Sequence, residues 1–176
     1  MCIRDSLLSL RFFKSDKSDF EKFITEALIE LKMIISKVPQ KSIVPTHGDL
    51  HLGNFVLGEH GLMLVDWETS GMNDAAWDLS YFFLATIVKD DLREKLFKKY
   101  KQECKFIDPD FEMRVKLYRP FVLIIIGLSM EFAMQKEEKI NDEPMHLINI
   151  CFDKSRQIFN SSGYQKILKE YKSGNN

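Results

Sequence analysis

The chain has 176 residues, 45% apolar and 29% charged, with 25 Lys+Arg against 26 Asp+Glu and a formal charge of -1. Such a chain is long enough to bury a core, and its balance excludes a global basic field for nucleic acid or an anionic membrane surface. The charge is unevenly spread. Residues 42–88 hold no Lys or Arg but carry Asp49, Glu59, Asp66, Glu68, Asp74 and Asp78, where the chain-wide frequency predicts about seven basic residues.

The first six residues, Met-Cys-Ile-Arg-Asp-Ser, match one reading frame of the transposon-end adapter used to build sequencing libraries. They are read as an adapter scar and set aside from fold reasoning. A helix is expected over residues 18–37. Ser18 and Glu21 have the capping-box spacing, and Phe20, Phe23, Ile24, Leu28, Leu31, Ile34 and Ile35 recur at helical intervals. Pro39 and Pro45 then bracket an extended piece at residues 42–46. Residues 47–54 are polar and contain glycine, which predicts a loop. Two short apolar runs, 55–57 and 62–65, flank Gly58-Glu59-His60-Gly61, the pattern of a β-hairpin.

A second loop is predicted through residues 71–74, with Asp74 capping a helix over 75–88. A charged helix follows over 90–104. Asp108-Pro109 reads as a helix start with proline first, and Pro120 should kink or interrupt that helix. The apolar run 121–130 is too short to span a bilayer and reads as a buried helix. Helices over 142–159 and 162–172 complete the chain, and residues 173–176 read as a frayed tail. The fold class is therefore α+β and mainly helical, with one small hairpin in the acidic block. Three cysteines, Cys2, Cys104 and Cys151, make no even framework, so a reducing, cytoplasmic compartment is the default and the thiols read as ordinary buried ones.

The loops around the hairpin hold the chemistry. Asp49 precedes Asn54 by five residues, and Asp66 follows twelve later. A hairpin brings its ends together, so these side chains can converge. Two carboxylates and an amide oxygen are hard ligands of the kind Mg²⁺ takes alongside substrate phosphates. His47 and His51 are spaced like zinc-protease ligands, but that motif needs a helix and a Glu after the first His. Here Gly48 follows His47, and Pro45 and Gly53 flank the pair, so zinc is rejected.

His47-Gly48-Asp49-Leu50-His51-Leu52-Gly53-Asn54 resembles the catalytic loop of the aminoglycoside phosphotransferase/choline kinase family. Val65-Asp66-Trp67-Glu68 resembles that family's metal-binding segment, and Gly71 through Asp78-Leu79 its following Gly-Asp…Asp-Leu stretch. Three motifs fall in order with the right gaps over residues 40–85. The resemblance implies the C-terminal lobe of a protein-kinase-like fold, spanning residues 7–172. It implies an ATP-dependent small-molecule kinase.

In that scheme Asp49 orients the substrate hydroxyl and accepts its proton, and His51 lies near the transferring phosphate. Asn54 and Asp66 hold Mg²⁺ bridging the ATP phosphates. His47 and Asp78 support the loop. Glu68 suits either substrate contact or solvation. Trp67 reads as core, as do Trp77, Tyr81, Phe82 and Phe83. Glu131, Glu137 and Glu138 read as a solvated helix face. The partner is a small-molecule alcohol, with cationic acceptors such as choline, ethanolamine or an aminoglycoside favoured; no nucleic acid partner and no membrane span are expected.

The family's N-terminal lobe, with its phosphate-binding Lys, is not found in the roughly 40 residues before His47. The expectation is therefore a truncated kinase, inactive alone, with an exposed surface at the hairpin. The alternatives are a non-catalytic nucleotide-binding pseudokinase or regulatory module, and a gene fragment with no function of its own.

Overall fold

The computed structural model describes residues 17–86, 89–105, 107–136 and 142–174. The order is α1 (Lys17–Ser36), β1 (Ile43–Thr46), β2 (Phe55–Gly58), β3 (Gly61–Leu64), β4 (Gly71–Asp74), α2 (Ala75–Ala85), α3 (Asp90–Glu103), α4 (Phe111–Leu117), α5 (Arg119–Lys136), α6 (Asp142–Asn160) and α7 (Ser162–Ser173). Single 3-10 turns at Gln40–Ser42 and Leu52–Asn54 lead into β1 and β2.

The described part is mainly helical with two small antiparallel sheets, β2–β3 and β1–β4. The expected hairpin is present, with Phe55 opposite Leu64 and Gly58 opposite Gly61. Residues 71–74, expected as a loop, instead form β4. They pair with β1 from Ile43 opposite Asp74 to Thr46 opposite Gly71. Gly-Met-Asn-Asp carries no local strand signal; it is extended because a partner 25 or more residues away supplies its ladder, and Thr46 Oγ1 also donates to Gly71 O at 3.1 Å. This pairing closes residues 47–70 into one excursion that leaves the helical body and returns to it.

The helices bury one contiguous core. Phe20 and Phe23 of α1 meet Phe152 and Phe159 of α6 edge to face, with centroids 5.1 and 5.7 Å apart. α5 runs along α6 at close range where Gly127 faces Phe152; a β-carbon at Gly127 would lie 3.1 Å from that ring. Pro120 interrupts the helix as expected. α4 ends at Leu117, α5 begins at Arg119, and the two axes differ by 43°. The start near Asp108 differs from expectation. α4 begins at Phe111, and Asp108 turns inward to accept from Asp110 N at 3.0 Å and from Ser42 Oγ at 2.5 Å.

A buried ionic knot ties β4 and α4 to the turn before β1. Arg114, fully buried, donates from Nε to Asp74 Oδ2 (2.6 Å) and from Nη1 and Nη2 to both oxygens of Asp108 (2.8 and 2.6 Å). Tyr118 Oη donates to Asp74 Oδ2 at 2.8 Å. Burial would weaken each charge, but the hydrogen bonds outweigh it. The Asp108 carboxyl, which desolvation pushes up, is held at about 2 by Arg114 and Ser42. Arg114 is likewise pushed down by desolvation and carried above its usual range by the two carboxylates.

Two further side chains depart from expectation. Glu131 is buried at 4% exposure rather than on a solvated face, because α5 is apolar around most of its circumference and packs on several sides. Cys104 and Cys151 are half-buried rather than fully so, and unpaired. Cys2, Glu137 and Glu138, the adapter-like residues 1–6, and residues 175–176 of the tail lie outside the described residues.

Candidate active site

The site forms where the excursion 47–70 sits against the start of α2. Asp74 caps α2 by accepting from Ala76 N at 3.1 Å. One turn on, Asp78 grips the loop backbone, accepting from His47 N (2.6 Å) and Gly48 N (2.8 Å) with its two oxygens. Trp77 Nε1 donates to Gly48 O at 3.3 Å, and Thr69 Oγ1 donates to His47 O at 2.9 Å. Gly48 is required here. Its φ is +83°, and a β-carbon would lie 2.5 Å from the Thr69 carbonyl oxygen.

His47 is buried at 1% exposure, and its Nε2 donates to Val65 O at 2.8 Å. Its ring packs 4.8 Å from Trp67. The bond ties the 47–54 loop to the exit of the hairpin, and Nδ1 is buried with no hydrogen-bond partner among the described residues.

Asp49 is about one-third exposed, at 31% for its side chain. Asn54 is buried, and its Nδ2 donates to Asp49 O at 2.9 Å. That bond closes the loop into a turn and leaves Oδ1 as the amide's acceptor oxygen. Asn54 O in turn accepts from Val65 N at 2.9 Å, which sets Asn54 across the open end of the hairpin from Asp66. Asp66 has φ +63°, the one non-glycine with a left-handed backbone among the described residues, and its side chain is exposed. Such a conformation costs about 1–3 kcal/mol and concentrates at functional positions. An exposed carboxylate and a buried amide oxygen, on residues that neighbour each other across the end of the hairpin, are hard oxygen donors of the kind Mg²⁺ takes before completing its shell with water and phosphate oxygens.

His51 caps the Leu52–Asn54 turn, its Nδ1 accepting from Gly53 N at 3.0 Å. Nε2 therefore carries the proton, and it lies 3.5 Å from Asp49 Oδ2. Glu68 is exposed beyond Trp67. Trp67 itself, expected in the core, is 50% exposed; its Nε1 donates to Leu64 O at 2.9 Å, which pins it against the hairpin exit rather than inside the body.

The excursion thus gathers His47, Asp49, His51, Asn54 and Asp66, with Asp78 bracing it from α2. Two contributors were missed from sequence because they read as packing. Tyr81, at 6% exposure, lies near Asp49; burial first, and then the Asp49 carboxylate, push its phenol well above the usual range. Trp77 holds the Gly48 carbonyl. The available signal was spacing: Trp77, Asp78 and Tyr81 fall on adjacent positions of one helical turn.

An apolar strip surrounds this excursion. Leu57 (80% exposed) and Leu62 (67%) face each other across the hairpin, with Leu52, Val56, Met63 and Met72 also exposed nearby.

Residues 7–110 match the model of the phosphotransferase enzyme family, APH. A thiamine kinase from Escherichia coli O1:K1 is 31% identical over 81 residues, 46% of this chain and 28% of that protein. A thiamine kinase from Salmonella paratyphi B is 31% identical over 84 residues, 47% of this chain and 29% of that one. Among solved structures, a choline/ethanolamine kinase family protein from Mesorhizobium loti superposes with a TM-score of 0.75 at 20% identity, covering 97% of this chain and 56% of that one. A choline kinase from Streptococcus pneumoniae superposes with a TM-score of 0.59 at 20% identity, covering 87% and 52%. The chain spans about half of each solved relative, and the aligned part is under a third of the thiamine kinases. The family match takes in the whole excursion together with α1, α2 and α3, and the chain belongs to the phosphotransferase enzyme family.

Proposed function

We propose that the protein to which this chain belongs transfers the γ-phosphate of ATP to a hydroxyl group of a small molecule. The observation that carries the reading is the grouping of Asp49, Asn54 and Asp66 at one open end of the hairpin, on a loop braced by the Asp78 carboxylate. Asp49 orients the acceptor hydroxyl and takes its proton as the acceptor oxygen bonds to phosphorus and the bond to the bridging oxygen of ADP breaks. His51 presents Nε2–H beside Asp49, where it can hydrogen-bond an oxygen of the transferring group. Asn54 Oδ1 and the Asp66 carboxylate would hold Mg²⁺, which supplies charge neutralisation on the phosphates when bound. The protein's own part is positioning: His47 and Asp78 fix the loop, and the left-handed Asp66 aims its carboxylate.

The acceptor is read as an alcohol, with a cationic or amine-bearing one favoured by the exposed Glu68 and the absence of Lys and Arg across the block. Free Cys104 and Cys151 and the use of ATP suit the cytoplasm. We read the chain as the C-terminal lobe, nearly inactive without the lobe that would cover the apolar strip on the hairpin; the exposure of Leu57 and Leu62 supports this.

The test is ATP turnover against choline, ethanolamine, thiamine and an aminoglycoside, measured for this chain and for the longer protein that contains it. Turnover by the longer protein, lost in Asp49→Ala and in Asp66→Ala, is the expected result. Full turnover in either variant refutes the assigned roles, and robust turnover by the 176-residue chain refutes the reading as a dependent lobe. Mg²⁺-dependent nucleotide binding without turnover on any acceptor would replace the enzyme reading with a non-catalytic one.

A further inference from the structure

Asp49 stands between two peptide planes, and a single side chain holds each. After it, Asn54 Nδ2 donates to Asp49 O at 2.9 Å, which fixes the peptide joining Asp49 to Leu50. Before it, the Trp77 indole of α2 donates from Nε1 to Gly48 O at 3.3 Å, which fixes the peptide joining Gly48 to Asp49. The other bonds to the loop stop one peptide short. Asp78 accepts from the amides of His47 and Gly48, and Thr69 Oγ1 donates to His47 O, so these hold the planes on either side of His47. The Asp49 amide makes no hydrogen bond among the described residues, so the Gly48–Asp49 plane is held at its carbonyl end alone.

We propose that Trp77 is a positioning residue: its indole N–H holds the Gly48–Asp49 peptide in one orientation and so sets the direction in which the Asp49 side chain leaves the loop. A peptide plane flips by opposite rotations of ψ at one residue and φ at the next, and it flips most easily after a glycine. Gly48 is that glycine, with φ +83°. The position cannot supply the restraint itself, because a β-carbon there would lie 2.5 Å from the Thr69 carbonyl oxygen. A bond from elsewhere has to supply it. The indole that does so is itself held. Trp77 is half-buried and meets Tyr118 edge to face at 5.5 Å, and the Tyr118 hydroxyl donates to Asp74 at 2.8 Å beside Arg114. The donor is thus anchored in the helical body, while the carbonyl it holds belongs to the excursion. A proton acceptor whose backbone swings loses rate through lost orientation, with substrate binding kept.

The kinetic side of this inference rests on the proposed phosphotransfer; the backbone side does not. Benzothienylalanine at position 77 keeps the shape of the indole and puts sulfur in place of its N–H, and Trp77→Phe removes the donor by a second route. In the isotope-labelled 176-residue chain, Overhauser contacts from the Gly48 α-hydrogens to the Asp49 amide hydrogen read ψ of Gly48. The three-bond coupling between the amide and α-hydrogens of Asp49 reads φ of Asp49. Both should report one conformer in the wild type and move to averaged values in each variant, while the His47 and Gly48 amides held by Asp78 keep their exchange rates. In the longer protein each variant should lower kcat by about threefold to tenfold, the population effect of one neutral hydrogen bond. KM for ATP and acceptor should stay within about twofold, and the variants should have no further effect in an Asp49→Asn background. A Trp77 that only fills space predicts no change in the isostere by either measurement. Unchanged Overhauser contacts and coupling in the isostere overturn the inference whether or not the wild-type protein transfers phosphate; unchanged kcat in an active protein overturns it as well. Absence of transfer by the wild type refutes the proposed function and leaves the backbone measurement to decide Trp77.

Discussion

Replacing Arg114 with Met should be the most damaging single change to this fold. The guanidinium makes three hydrogen bonds of 2.6–2.8 Å to Asp74 and Asp108 and a fourth at 3.3 Å, with all three side chains at 3% exposure or less. Met fills most of the volume but leaves two carboxylates in a dry interior without their cation. Removing one partner of such a buried set costs about 3–5 kcal/mol, a large share of the ~5–15 kcal/mol that stabilises a typical domain.

The pH dependence gives the sharper test. In the wild type the folded Asp108 carboxyl titrates at about 2, below the unfolded value of about 3.9. It therefore contributes stability of roughly 2–3 kcal/mol. That contribution is complete above pH ~4 and is lost as pH falls through about 2. In the Met variant the burial of Asp108 is opposed only by its Ser42 and Asp110 hydrogen bonds, so its carboxyl rises and that protein gains stability relative to the wild type as pH falls from 7 towards 4. The gap between the two proteins should narrow over that interval. Urea unfolding at pH 7 and pH 4, followed by tryptophan emission, reads both numbers, since Trp77 lies 5.5 Å from Tyr118 beside the knot. A loss under 1 kcal/mol at pH 7, or a gap that widens at pH 4, would refute the argument.

Other consequences follow from single contacts. Gly48→Ala meets the Thr69 carbonyl at 2.5 Å, whereas Gly61→Ala, also at positive φ, meets nothing within 4 Å; both pay backbone strain of about 1 kcal/mol, but Gly48→Ala should cost at least ~1 kcal/mol more in urea unfolding. Asp78→Ala unpairs the His47 and Gly48 amides, each in a charge-assisted bond worth about 1.5–3 kcal/mol, so their hydrogen exchange should accelerate at least tenfold while core amides of α6 stay unchanged. Leu57→Lys with Leu62→Lys removes the most exposed apolar pair of the hairpin; sedimentation at high concentration should show less self-association, with stability changed by under about 0.5 kcal/mol.

What could be read from sequence was local. The boundaries of α1, α6 and α7 and the hairpin follow from periodicity and turn residues, and the break at Pro120 follows from a missing amide hydrogen. What could not be read depends on partners far along the chain. β4 has no strand composition and exists because β1 lies beside it. Asp108 looks like a helix cap until Arg114 and Ser42 close around it. The motif order carried Asp49, Asn54 and Asp66, but Tyr81 reads as one aromatic among four until α2 is laid against the loop. Trp67 went the other way, since an aromatic beside an apolar strand normally faces a core, and here the strand is a hairpin with little packed over it.

The acidic block also looks different once its charges are sorted. Of the six carboxylates in residues 42–88, Asp74 is neutralised by Arg114, a cation supplied from α4 beyond the block. Asp78 is compensated by two amide hydrogens rather than by charge. Asp49 has His51 Nε2 3.5 Å from its Oδ2. Asp66, Glu59 and Glu68 have no ion pair among the described residues, and all three are exposed. The uncompensated charge therefore gathers on the excursion, away from the body, with Asp66 aimed at the cost of a left-handed backbone. Cations of this chain could have been placed there and would have paired with Asp66 or Asp49, making each a poorer ligand or base. Under the proposed function, their exclusion leaves the carboxylates available to a divalent cation and to an acceptor hydroxyl. The same accounting separates the carboxylates of the block: Asp74 and Asp78 have protein hydrogen bonds to both oxygens, whereas Asp49 is partly exposed and Asp66 exposed.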